Sequence, residues 1–167
     1  MSRGSEIAAE LRADQEVAML QSEMAHDSRS VIAAHAGNLW AICATYIEEQ
    51  TKTIANEAPI ANNAGLSSQR IGSDTLIVST KQLPILRLTL NYIPRHAVSA
   101  TIYRQFTAMS KPLSGQMNPF YFTVDARLQP CLTDGERHLT PQMVGDEFIE
   151  TVREFFKEAF RRPAILS

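Results

Sequence analysis

The side chains best suited to chemistry are few and scattered. Cys131 and His138 lie seven positions apart, on either side of an Asp134-Gly135 turn signal. A thiolate beside an imidazole makes a nucleophile–base pair. The spacing supplies no third group to orient the ring, so an enzyme built on His138 with Cys131 or Asp134 ranks last among the functional readings. His35 falls in an alanine-rich helical pattern, and Cys43 reads there as a small buried hydrophobe. His26 and His96 fall at a break and a hairpin turn. The two cysteines have neither metal nor redox spacing, and their scarcity fits a reducing compartment. No phosphate-binding glycine loop, His-Glu-x-x-His pattern or Gly-x-Ser-x-Gly elbow occurs. The acidic pairs Glu48-Glu49 and Asp146-Glu147 sit on helix surfaces. No metal and no cofactor are expected.

A broader constellation carries more. Between residues 75 and 128 the chain alternates apolar and polar side chains, the period of half-buried strands. Leu86, Leu88, Leu90 and Tyr92 share one parity; Arg87, Thr89 and Asn91 share the other. Val98, Ala100, Ile102 and Phe106 repeat the pattern, broken at Arg104, with Ser99, Thr101, Tyr103 and Gln105 opposite. Phe120, Phe122, Val124, Ala126 and Leu128 form a third apolar set, facing away from Tyr121, Thr123, Asp125 and Arg127. The polar face then holds candidate ligand-binding residues Arg87, Asn91, Tyr103, Tyr121 and Arg127. Arginines and tyrosines on an open sheet can grip an anion, a peptide or stacked bases. The same residue types are also ordinary choices for a wet strand face.

The elements that position this face follow from pattern. One buried and one wet face is the habit of antiparallel sheets. Ile93–His96 is too short for a crossover, so its strands form a hairpin. Both apolar sets are even-numbered, which requires an odd loop. The loop Pro94-Arg95-His96 pairs Leu88 with Ile102, Leu90 with Ala100, and Tyr92 with Val98. It sets Arg87 beside Tyr103, where the guanidinium can lie over the ring. Leu66–Ile71 reads as a short edge strand and Thr75–Thr80 as a strand with Leu76 and Val78 on one face. Lys111–Pro119 reads as a long exposed loop.

Helical patterns flank the meander. Residues 5–25 form a first helix with a thin apolar stripe. His26–Ser30 reads as a break, and Val31–Ala58 as a second helix, with Glu48 set to pair with Lys52. Pro59 ends it, and residues 61–65 read as a turn. Thr140-Pro141 starts a C-terminal helix that packs through Val144, Phe148, Val152 and Phe156.

The 167 residues suit one compact domain, burying roughly 70% of its unfolded surface. The expected fold is α+β: two N-terminal helices, a curved antiparallel meander of four to five strands, and a C-terminal helix on the sheet. Residues 1–60 form a helical arm and 61–167 the sheet with its helix. The net charge of −2 divides unevenly: residues 1–60 hold nine acids and four bases, and the remainder nine acids and twelve bases. That imbalance is too mild to signal nucleic acid. The N-terminus has no signal-peptide pattern, and Val31–Ile47 reads as too short and polar to span a bilayer. A cytoplasmic location follows as the default.

These observations rank three expectations. The first is a non-catalytic binding or adaptor domain, holding a protein partner through the polar sheet face and the helical arm. Under it, the arm also self-associates into an oligomer, with Trp40 and Tyr46 as anchors. The second is a small-molecule or single-stranded nucleic-acid binding module on the polar face. The third is the His138–Cys131 enzyme.

Overall fold

The computed structural model of the chain describes residues 2–162. It is α+β, with a long N-terminal helix, an antiparallel sheet of eight strands and a C-terminal helix. Helix α1 runs unbroken from Arg3 to Glu57. The two N-terminal helices expected from sequence are therefore one. His26–Ser30 contains neither Gly nor Pro, and its polar residues sit on a solvated helix without interrupting the backbone. Pro59 does more than end α1: it occupies the first turn of a short helix, α2 (Pro59–Ala64), which Gly65 closes in the left-handed conformation at φ 72°.

The sheet has eight strands rather than four or five. They are β1 (Ser67–Ile71), β2 (Thr75–Ser79), β3 (Ile85–Ile93), β4 (Ala97–Gln105), β5 (Leu113–Gln116), β6 (Phe120–Val124), β7 (Pro130–Thr133) and β8 (His138–Leu139). The path across the sheet is β1-β2-β3-β4-β6-β7-β8, and β5 also pairs with β4. Strand β4 divides its outer edge. Its first residues, Ala97 and Val98, pair with Tyr121 and Phe120, while Thr101–Arg104 pair with Gln116–Leu113. The segment expected as a plain loop thus holds a strand.

The hairpin register agrees with the parity argument. Leu88 faces Ile102, Leu90 faces Ala100, Tyr92 faces Val98, and Arg87 faces Tyr103. Pro94-Arg95-His96 forms the loop, with Arg95 at φ 62°. The apolar face collects Leu76, Val78, Leu86, Leu88, Leu90, Val98 and Leu132, all fully buried.

Helix α3 (Pro141–Arg161) is capped by Thr140, whose hydroxyl accepts from the Met143 amide. It buries Val144, Phe148, Val152, Phe155 and Phe156. Phe148 meets Phe120 edge-on at 5.4 Å, and Phe155 stacks on Phe106 at 5.2 Å. The inner half of α1 shares that layer through Ala36, Leu39, Trp40, Cys43, Ala44 and Ile47. Trp40 stacks on Tyr92 at 5.9 Å, and its indole N–H donates to the Ser73 carbonyl at 2.8 Å. Trp40 is therefore a core residue, not an interface anchor. Tyr46 is likewise engaged within the chain, packed on Gly145 and donating to Asp146.

Glu48 turns away from Lys52 and accepts from Arg70 of β1 at 2.5 Å. An exposed pair of this kind contributes about 0–1 kcal/mol, so it fixes the orientation of α1 more than it holds the fold. By length and composition alone α1 is long and apolar enough to cross a membrane, a test that the core helix of a soluble fold also passes. Its buried apolar residues are committed to the sheet.

Candidate functional site

Three surfaces stand out: the wet face of the sheet, the outer half of α1, and a cleft between α1, α2 and α3. On the sheet, odd-numbered residues of β1–β4 line up across strands, joined by even-numbered residues of β5, because facing residues in an antiparallel pair share a side. One row runs Ser67, Ser79, Arg87, Tyr103, Ser114. A second runs Gln69, Ile77, Thr89, Thr101, Gln116. Asn91 lies one row further, facing Ser99 and accepting from the Thr75 hydroxyl at 3.2 Å. Arg87, Thr101 and Tyr121 are exposed, and Tyr103 and Asn91 are half-buried.

Four of the five candidate residues, Arg87, Asn91, Tyr103 and Tyr121, share this side of the sheet without converging. Tyr121 faces Ala97, six positions along β4 from Tyr103, a separation of about 20 Å at strand rise. Its ring instead meets His96 edge-on at 5.4 Å. Arg127 is not on a strand. The parity of Phe120–Leu128 continues past the end of β6, but the Asp125 carboxylate accepts from the amides of Arg127 and Gln129 at 2.8 and 2.9 Å. That closes a turn, completed by Leu128 at φ 58°. Arg87 and Tyr103 are register partners as expected. The cation–π contact among the described residues lies elsewhere, with Arg162 4.0 Å from the Phe106 ring centroid.

The groups of the enzymatic reading lie together at the β7–β8 end of the sheet. Cys131 faces Thr123, and His138 faces Thr133, so both lie on the wet side of the sheet. Burial, reinforced by the Asp125 charge, raises the Cys131 thiol above its ordinary value. A thiol held protonated is a poor nucleophile. Asp134 is held down at about 2 by the amides of Arg137 and Glu136 and by the Arg137 guanidinium. It caps a turn. Burial pushes the Cys43 thiol up to about 12. Among the described residues, no group of three or more His, Cys, Asp or Glu is placed to hold a metal.

The outer half of α1 is the more unusual feature. Every described residue from Ser2 to Asp27 is exposed, and packing begins only near Val31. Residues 3–30 therefore project as a helix about 42 Å long. It carries Ile7, Leu11, Val17, Met19, Leu20 and Met24 with 48–65% of their surface in solvent. Single exposed apolar residues are ordinary on a protein surface; here six of them lie along one helix that packs on nothing within the chain.

Sequence reasoning missed a cleft of about 610 Å³ between the end of α1, α2 and α3. Ile54, Ile60, Ile149, Phe156 and Phe160 line it, and Arg153, Lys157 and Arg161 stand along one edge. Those three bases recur every four residues, hence on one line of α3, and that spacing was the available signal. No protein-family model matches this chain, and neither does any curated protein or solved structure.

Proposed function

We propose that this chain is a non-catalytic binding module that holds a protein partner through the projecting half of α1, with the wet sheet face as a second contact. The observation that carries the reading is the arm itself. A helix of residues 3–30 that buries none of Ile7, Leu11, Val17, Leu20 or Met24 gains nothing from its own domain. Isolated helices are marginal in water, and a partner covering those side chains would stabilise it. The alternative, a small ligand or single strand on the sheet face, has weaker support. Tyr103 and Tyr121 stand about 20 Å apart along β4, where a small ligand cannot touch both.

The test is site-specific photo-crosslinking in the cell. A crosslinking side chain at Leu20, and another at Tyr103, should each give a protein adduct, and one at the exposed Glu147, outside the cleft lining, should not. Leu20 yielding no protein adduct rejects the reading.

A further inference from the structure

We infer that the cleft between α1, α2 and α3 receives the projecting arm of a second copy of this chain. The inference rests on the binding reading above and names the partner of the arm.

The two surfaces are complementary in shape class and in charge. On the arm, Val17, Leu20 and Met24 are spaced i, i+3, i+7 and therefore share one face. Glu16, Glu23 and Asp27, spaced i, i+7, i+11, form a line along one flank of that face. Residues 3–30 hold six acids and three bases. In the cleft, the apolar floor has Arg153, Lys157 and Arg161 along its edge and no carboxylate among its lining residues. An apolar helix face laid into an apolar groove, with opposite charges meeting at the rim, is a standard mode of helix recognition. The cation side chains are only lightly held. Arg153 pairs with Glu150 at 2.9 Å and Lys157 with Glu154 at 3.6 Å, both in solvent-exposed settings, where such pairs contribute about 0–1 kcal/mol.

The arm cannot fill its own cleft. Leu20 and the cleft residue Ile54 lie on the same unbroken helix, about 51 Å apart along its axis. An arm seated in this cleft must come from another molecule. Arm-to-arm pairing is the poorer alternative, because it would bring together two helices that each carry this excess of acids. Two copies that exchange arms close a two-fold pair, and copies that pass the arm onward form an open chain.

The experiment is sedimentation velocity on the full chain over a range of concentrations and salt. Wild type should associate, and more weakly at high salt. Leu20→Glu should raise the dissociation constant at least tenfold, as should Lys157→Glu with Arg161→Glu. Glu16→Lys with Glu23→Lys should do the same. All of these side chains are solvent-facing, and unchanged circular dichroism verifies that each variant is folded. Combining the four charge reversals in one chain should restore association. Three results overturn the inference: a wild-type monomer at every concentration, association lost with Leu20→Glu but indifferent to the cleft variants, or no rescue by the combined chain. A monomer whose Leu20 crosslinks to a different protein removes the second copy as partner and leaves the binding reading standing.

Discussion

Gly145 lies against the ring of Tyr46 so closely that a β-carbon at 145 would come within 2.5 Å of Tyr46 Cδ1 and 3.1 Å of Cε1. The crossing of α1 and α3 depends on that missing methyl. Gly145→Ala should cost about 1–3 kcal/mol, the range for overpacking, despite alanine's higher helix propensity. In a Tyr46→Ala background the same change should cost much less. Equal costs in both backgrounds, measured by urea unfolding as a double-mutant cycle, would contradict the contact.

The Tyr46 hydroxyl donates to Asp146, and that bond, then burial and the carboxylate charge, raise its pKa above the ordinary value. A raised pKa means that the unfolded chain loses this proton first as pH climbs. The contribution is therefore complete below about pH 10 and falls away as pH rises through the folded value. Tyr46→Phe should flatten the alkaline limb of the stability profile, and a limb identical to wild type would refute the coupling.

Phe148 is fully buried between α3 and the sheet, against Phe120. Phe148→Ala should lower stability by about 3–5 kcal/mol. Chemical denaturation reads this directly, and a loss under about 1 kcal/mol would mean that the ring is not buried in solution.

Asp134 is held at about 2, mainly by the amides of Arg137 and Glu136. A depressed carboxylate contributes stability above its unfolded value of about 3.9, and the contribution is lost as pH falls toward the folded value. Asp134→Asn keeps an acceptor oxygen but not the charge. It should melt lower than wild type near about pH 6 and converge with it near about pH 2. A constant gap across that window would show that the carboxylate charge has no part.

Arg95 holds φ 62° at the tip of the β3–β4 hairpin. A side chain there costs about 1–2 kcal/mol that glycine avoids. Arg95→Gly should be neutral or stabilising by up to about 1 kcal/mol, and Arg95→Val should be destabilising. Thermal unfolding that ranks Val above Gly would exclude the left-handed conformation.

The strand register was legible because one face of β3 and β4 is buried, and a slip of one residue would invert every side chain. Residues without burial were not legible. Leu113–Gln116 is exposed throughout, so β5 shows no alternation. Asp125–Leu128 kept the alternation by coincidence, although Asp125 itself is a common turn residue. The continuity of α1 was hidden because its outer half packs on nothing within its own chain and its polar His26–Ser30 stretch resembles a break. The candidate face was legible as a face, but the separation of Tyr103 from Tyr121 required knowing that β4 pairs with β6 only at its first residues. The cleft joins residues 50–61 to residues 149–161, a juxtaposition that no local pattern contains.

The anchoring of α1 has a mechanical consequence. Its root is clamped by Trp40 on Tyr92 and by Ile47 in the core, while Gly4 and Gly37 are the only glycines in the helix and no proline interrupts it. With no joint along the shaft, the helix is a ruler. Whatever grips its tip stands at a set distance and rotation from the sheet, and a load applied there arrives as torque at the Trp40–Tyr92 stack.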